Sequence, residues 1–301
     1  VFGSRFLNFA DINRLKEICD EIKPDFIWTN DMTRVPTYQL ISDAKIICYN
    51  HWIDNRIMPK ISEDKTYIFR QAEGAYKSDL AIVNSKFGIE FFLLGLKDYF
   101  TDEIIQEISN KIIPVPPLIN MDLTRREEKF TKPTFLFNHR LSSLGYYKDN
   151  FDMFVKACNQ LDFAFDVILT NPSGYIISDL PKYMKILNFE SYNEYLDMVS
   201  RCWACVGVFL NSYGTWSMSM TDAIVSNTLV ILPNMYGYPE MVPQDYGYKF
   251  SNIDELVELL NFATHLPPAV RMSLEDNNIK FAKENYSTTT RFEKLLNFLE
   301  G

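Results

Sequence analysis

NSYGTWSMSMTDAIVSNTLVILPNMYGYPEMVP, residues 211–243, is the stretch on which the reading of the fold turns. Small and polar residues with one glycine, Gly214 to Ser219, run into the amphipathic turns Met220-Thr-Asp-Ala-Ile-Val-Ser226, and the apolar run Leu229-Val-Ile-Leu232 follows at once. That order predicts a loop and a helix start at the edge of a parallel sheet. In doubly wound α/β folds the free backbone N–H groups of such a helix face a crevice and favour a phosphate. A loop and helix with only structural work account for the same letters equally well, so the surrounding chain has to arbitrate.

Working outward, the alternation continues on both sides. Upstream lie the strand Pro133–Phe137, the loop Asn138-His139-Arg140, the helix Asn150–Leu161, the strand Phe165–Leu169 and a Pro/Ser/Gly turn, Asn171–Gly174. The strand Met184–Leu187 and the helix Tyr192–Arg201 complete the run, and Cys202–Leu210 reads as a buried strand with its approach. Downstream, Asn252–Thr264 is a helix, and Met272–Gly301 is mostly helical with a break around Tyr286–Thr290.

A charged linker, Thr124–Lys132, separates this half from a similar one. There the helix Ala10–Ile22 stops at Lys23-Pro24, and the strand Asp25–Thr29 leads to Asn30 and Asp31. The strand Lys45–Tyr49 leads to the polar cluster Asn50-His51-Trp52-Ile53-Asp54-Asn55. Helix Lys65–Lys77, strand Leu80–Val83, a helix capped by Ser85 and strand Lys111–Val115 follow. The expected fold class is therefore α/β, with two Rossmann-like domains facing across a cleft, residues 1–127 and 128–301. The long last helix is expected to pack back across the boundary. No clear strand precedes the first helix, so the first domain is expected to lack its first strand here.

Totals narrow the function classes. The 301 residues suit two domains that each bury a core. A composition of 47% hydrophobic and 23% charged residues is that of an ordinary globular protein. The net charge of −9 provides no global field for a polyanion and disfavours extended nucleic-acid binding, leaving only a local basic groove. Five cysteines, Cys19, Cys48, Cys158, Cys202 and Cys205, are scattered through apolar segments, which suggests reduced thiols and a cytoplasmic protein. Cys202-Trp-Ala-Cys205 has the CxxC spacing but no second ligand pair, and no His, Cys and carboxylate cluster has metal-ligand spacing, so no metal is expected. No apolar run reaches the length of a membrane span, so no integral membrane contact is expected.

Candidate chemistry gathers at predicted strand ends. Arg140 and Lys148 flank Leu141–Tyr147, where two cations could neutralise charge on a leaving diphosphate. A solvated Arg and Lys on a loop is the simpler reading of that pair alone, and the phosphate loop tips the balance. Asp222, on the first turn of its expected helix, could accept hydrogen bonds from sugar hydroxyls, or merely compensate the helix dipole.

Together these residues resemble the donor-binding domain of GT-B fold glycosyltransferases of the family 4 type. The motifs are Asn138-His-Arg140, Lys148-Asp-Asn150, the loop Thr215–Thr221 entering Asp222-Ala223, and Gly237-Tyr-Pro-Glu-Met-Val-Pro243. In Asn-His-Arg with the later Pro-Glu, the chain is particularly similar to the branch that mannosylates a modified tRNA nucleoside, the queuosine branch. The first half is similar as well, through Pro24-Asp25, Thr29-Asn-Asp-Met32 and Asp79–Ser85.

The resemblance implies a nucleotide-sugar donor as cosubstrate with no further cofactor. Its diphosphate would be held by Arg140 and Lys148, and its phosphate and sugar by Gly214, Thr215, Ser217, Met218 and Ser219. Asp222 would grip the ribose, and Asn138, Ser173, Gly174, Tyr175, Asn188 and Phe189 would line the remainder. On the acceptor side it implies Asn30, Asp31, Asn50, Trp52 and Asn55, with His51 bonding the sugar or donating towards the leaving group. A histidine between Tyr49 and Trp52 can equally be a packing residue. His139 is expected to orient its loop.

Two departures stand out. The family's first glutamate falls on Gly214 and a loop glycine on Ser217, which points to an altered donor sugar or stereochemical outcome. The expected reaction is transfer of a hexose or pentose with retention, the donor phosphate acting as base, onto a hydroxyl acceptor in a modified base of DNA or tRNA. A glycan or lipid acceptor is the alternative. A non-catalytic nucleotide-sugar-binding protein and an epimerase of the same fold are the other rivals.

Overall fold

The computed structural model describes residues 12–50, 66–117, 119–141, 145–171, 174–175, 177, 179–207 and 214–288. The chain divides after Val115 into two compact units, Val1–Val115 and Pro116–Gly301. The division falls a dozen residues before the boundary read from the charged linker. The reason is that Ile119 enters the second unit's apolar core, while Arg125 N–H donates to the Val225 carbonyl at 3.0 Å.

In the first unit the elements are α1 (Ile12–Ile22), β1 (Phe26–Thr29), a 3₁₀ turn at Met32–Arg34, α2 (Val35–Gln39) and β2 (Lys45–Asn50). Then come α3 (Tyr67–Lys77), β3 (Leu80–Val83), α4 (Lys86–Leu96), α5 (Asp102–Lys111) and β4 (Ile112–Pro114). The four strands pair in parallel in the order β1-β2-β3-β4. β3 is fully buried along its length, as a strand covered on both faces must be, which is why Leu80-Ala-Ile-Val83 reads as an unbroken apolar run. The Asp79 carboxylate accepts from the Ile46 N–H at 2.7 Å and ties the start of β2 to β3. Helix α5 escaped the sequence reading: it buries Ile108 alone and carries Asp102 and Glu103 in its first turn. Residues 1–11, where a first strand was found wanting, lie outside the described residues.

The second unit contains β5 (Thr134–Phe137), α6 (Gly145–Cys158), β6 (Asp166–Thr170), β7 (Met184–Leu187), α7 (Tyr192–Arg201) and β8 (Ala204–Val206). It continues with α8 (Met218–Val225), β9 (Leu229–Pro233), β10 (Lys249–Phe250), α9 (Ile253–His265) and α10 (Pro268–Tyr286). All six strands are parallel, in the order β10-β9-β8-β5-β6-β7. Sequence order therefore runs outward from β5 in one direction to β7, then returns to β8 and runs outward in the other. The point of reversal, between β5 and β8, is where a doubly wound sheet opens a crevice at its strand carboxyl ends.

Phe135, Leu136 and Phe137 of β5 and Val230, Ile231 and Leu232 of β9 are buried in the same core. The described part of the last helix, α10, packs on α8 and β9 of its own unit. Residues 289–301, to which the expected packing across the boundary also refers, lie outside the described residues. No helix among the described residues is long and apolar enough to cross a membrane.

Ser85 offers a direct test of local structure in the first unit. It is buried, has extended backbone, and accepts from the Gly88 N–H at 2.9 Å, capping α4. Ser85→Ala is expected to lower the unfolding free energy in urea by about 1–2 kcal/mol, and Ser85→Gly by less than Ser85→Ala. Equal midpoints for wild type and Ser85→Ala would show that α4 is held by packing alone.

Candidate functional site

Two chain segments meet at the reversal point of the second sheet. Asn138 directly follows β5, and its carbonyl accepts from the Ser219 hydroxyl at 2.7 Å while its side-chain amide donates back to the Ser219 carbonyl at 3.0 Å. The same amide donates to the Tyr195 hydroxyl at 2.7 Å, and the Asn138 side-chain oxygen accepts from the Cys205 thiol at 3.1 Å. One residue on, the His139 ring donates through Nε2 to the Val206 carbonyl at 2.9 Å, across the ends of β5 and β8. Burial pushes this imidazole down to about 4, so it is neutral. As expected, it orients the loop: with His139 pinned inward, the next residue, Arg140, emerges exposed, 5.8 Å from the Tyr147 ring.

The loop from Gly214 reaches α8 through Ser217, whose hydroxyl caps the helix by accepting from the Met220 N–H. The amides of Met218 and Ser219 thus precede the first intrahelical bond, where helix ends leave donors without partners inside the helix. Two contacts hold this loop from behind. The Gly237 N–H donates to the Gly214 carbonyl at 3.0 Å, and a Cβ on Gly237 would come within 2.0 Å of the Thr215 oxygen, so only glycine admits the approach. Trp216 donates to the Thr221 hydroxyl at 3.1 Å and meets the Tyr286 ring edge-on at 5.2 Å.

Asp222 lies five residues into α8, beyond the first turn where its sequence position had put it, because the helix begins at Met218. Dipole compensation therefore does not explain it. Its two oxygens accept from two tyrosines of α7: Oδ1 from the Tyr192 hydroxyl at 2.6 Å, Oδ2 from the Tyr195 hydroxyl at 3.2 Å. Burial raises this carboxyl to about 6, and the two hydroxyls partly offset the effect. The sequence reading missed both tyrosines. Their signal was present: Ser191 caps α7 with Glu194 three residues on, which fixes the helix start and sets Tyr192 and Tyr195, three apart, on one face.

The other candidates fall as follows. Lys148 is not on a loop; it occupies the first turn of α6, exposed and ion-paired with Asp152, which raises it through that hydrogen bond. Gly174 has left-handed backbone, φ +64°, inside a turn closed by the Asn171 side chain onto both the N–H and the carbonyl of Tyr175. Phe189 packs edge-on against Tyr195 at 5.6 Å, which brings the segment after β7 to the Asp222 network, while Asn188 beside it is exposed. In the first unit, Asn30 accepts from the Trp28 indole at 2.9 Å, and Asp31 caps the Met32–Arg34 turn by accepting from the Thr33 N–H at 2.9 Å. Asn50 ends β2 and is buried. His51, Trp52, Asn55 and Ser173 lie outside the described residues.

Burial raises the Cys202 thiol to about 12 and holds the Cys205 thiol well above its ordinary value, so the CxxC pair sits in the core as unreactive thiols. Among the described residues no group of three or more His, Cys, Asp or Glu side chains could hold a metal ion.

The architecture is that of the GT-B glycosyltransferases. Solved structures with this fold include HepE of Anabaena in complex with UDP-glucose, at 13% sequence identity and TM-score 0.70, covering 96% of this chain and 81% of that one. The lipopolysaccharide outer core galactosyltransferase WaaB is similar at 13% identity and TM-score 0.65, covering 96% of this chain and 78% of that one. A UDP-forming trehalose-phosphate synthase from Burkholderia xenovorans matches at 12% identity and TM-score 0.68, covering 98% of this chain and 80% of that one. At such identities the likeness is one of fold. No protein-family model matches the chain, and no curated protein matches it in sequence.

The buried imidazole makes stability depend on pH with a defined sign. A folded-state value of about 4, below the ordinary 6.5, contributes stability that is present above 6.5 and lost as pH falls towards 4. Asp222 acts in the opposite sense, since its raised value favours the folded state on acidification between about 6 and the ordinary 3.8. Comparison with a non-titrating variant separates the two. Relative to wild type, His139→Gln is expected to gain up to about 3 kcal/mol of unfolding free energy between pH 6.5 and 4. Parallel pH profiles in denaturant titrations would show that His139 is not held neutral.

Proposed function

We propose that the second unit binds a nucleoside diphosphate sugar and that the protein is a glycosyltransferase using it as donor. The observation that carries this reading is the reciprocal hydrogen bonding of Asn138 and Ser219. It joins the loop bearing Arg140 to the start of α8 at the reversal point of the sheet, where a guanidinium and helix-start amides would serve one phosphate site. Arg140, Lys148 and the amides from Ser217 to Ser219 would hold the diphosphate. Lys148 is available because an exposed ion pair such as the one with Asp152 is worth little and opens readily. Asp222 would accept the ribose hydroxyls, with Phe189 and the Tyr175 turn bordering the base.

In the reaction, the bond from the sugar anomeric carbon to the diphosphate oxygen breaks and a bond to the acceptor oxygen forms. The acceptor proton passes to the departing phosphate, with retention of configuration, and the two cations stabilise the charge on the diphosphate. No protein nucleophile or metal enters. The acceptor we favour is a glycan or lipid hydroxyl, the alternative in the sequence reading, over the modified base in DNA or tRNA that led there. The net charge of −9 opposes polyanion binding, and the similar structures include a lipopolysaccharide transferase and a trehalose-phosphate synthase. Gly214 in place of a carboxylate favours one second reading, a protein that binds the nucleotide sugar without transferring it.

Calorimetry with UDP, GDP and ADP, together with release of nucleoside diphosphate from the sugar donors, tests this reading. Arg140→Ala and Asp222→Asn are each expected to weaken binding of the preferred nucleotide by about tenfold or more, the loss of a hydrogen bond to a charged group. Wild-type affinity should fall as pH is lowered through about 6, because protonation removes the acceptor capacity of Asp222, and Asp222→Asn should abolish that step. Binding without nucleotide release would select the non-catalytic reading. Unchanged affinity in both variants would sink the site.

A further inference from the structure

The two tyrosines on Asp222 differ in how they are held. The Tyr195 hydroxyl accepts from Asn138 at 2.7 Å and donates to Asp222, so it is fixed from both sides, and Asn138 is fixed in turn by Ser219 and Cys205. Tyr192 is the first residue of α7 and half exposed; among the described residues its hydroxyl bonds Asp222 alone, and its ring lies 5.8 Å from that of Tyr195. The carboxylate therefore receives one donor on each oxygen, both from the α7 side. An ionised carboxylate has about four lone-pair positions in all. One remains on each oxygen.

On the reading of the site given above, we propose that Tyr192 and Tyr195 are positioning residues for Asp222, orienting its carboxylate so that the remaining lone pair on each oxygen meets one hydroxyl of a vicinal ribose diol. Such a site selects a ribonucleotide over its 2′-deoxy counterpart, since the deoxy sugar leaves one oriented oxygen of a largely buried carboxylate without its donor. The same two bonds hold the carboxylate in its charged form against burial, which favours the protonated one. The side chains acting on this titration are Tyr192 and Tyr195, while the Asp222 charge in turn raises the Cys205 thiol of β8; among the described residues β9 and α10, which also pack on α8, bring no charge that shifts it.

Tyr192→Phe is the decisive variant, because it keeps the ring at an exposed helix start and removes only the hydroxyl. Binding of UDP and 2′-deoxy-UDP would be measured by calorimetry across pH 5–8 (about that range spans the titration), and the Asp222 carboxyl followed by carbon NMR in the ligand-free protein. The expected result is UDP binding about tenfold weaker at neutral pH, a smaller preference for UDP over 2′-deoxy-UDP, and an Asp222 midpoint moved upward. Tyr195→Phe should act in the same direction, with an added loss because Asn138 is released.

Unchanged UDP affinity and an unmoved midpoint would overturn the proposal. Tighter binding would overturn it too, showing that Tyr192 competes with the ribose for Asp222. If wild type binds UDP, Asp222→Asn loses it and Tyr192→Phe does not, the functional reading stands and this inference falls. If wild type binds no nucleoside diphosphate, both fall, whatever the NMR midpoint does.

Discussion

The site depends on one exchange of hydrogen bonds, that between Asn138 and Ser219. Parallel strands end with unpaired backbone groups, and here those of the central strand are satisfied by a residue from a helix start 81 positions later in the chain. Because both partners give and receive, the end of β5 and the start of α8 cannot move independently. Everything with chemical potential at this end of the sheet is referenced to that pair. Arg140 follows Asn138 by two residues, the helix-start amides flank Ser219, and the Asn138 side chain joins through Tyr195 to Asp222.

The rest of the second unit keeps this junction rigid. His139 trades a charge for a place in the core, neutral and bonded to Val206. Gly237 allows a second strand-end segment to press on the Gly214 loop from behind, and Trp216 fastens that loop to the end of α10 through Tyr286. On a different part of the unit, the segment 125–130 is held by a set of buried polar contacts. Lys129 donates to the Asn227 carbonyl at 2.6 Å and pairs with Glu275 at 3.0 Å; Arg271 lies over the Trp203 ring at 4.1 Å. Burial works against both members of the Lys129–Glu275 pair, lowering one and raising the other, so the pair fixes geometry more than it adds stability. This is also why the charged linker did not mark the boundary. Its basic residues are spent on the second unit, in pairs with Asp197, Asp276, Glu275 and Asp166.

Strand and helix identities were largely legible in the letters. Leu80–Val83, Met184–Leu187 and Tyr192–Arg201 match the structure at both ends, since a buried parallel strand is an apolar run and α7 is amphipathic with a capping serine. A phosphate role for the loop before α8 was legible in the order of loop, helix and strand, whereas a role for Asn138 came only through resemblance to a family. Asp222 was picked out as a carboxylate at a helix start, with the wrong helix position, because nothing local distinguishes Ser217 from Ser219 as the cap. Tyr192 and Tyr195 went unnoticed. A tyrosine at a helix start is unremarkable until a carboxylate from another helix is brought to its hydroxyl.

By itself, then, the sequence determined the α/β class, the doubling of the pattern, and the segments that form the strands, because those follow from periodicity and burial along the chain. The tertiary structure alone decided the strand order that reverses at β5, and with it which loops share a crevice. It alone decided that Lys148 rides on a helix with Asp152 and that Asp222 answers to two tyrosines. The physical reason is range. Hydrogen bonds between residues 27 to 81 positions apart exist only once the sheet has brought them together, and no window of sequence contains both partners.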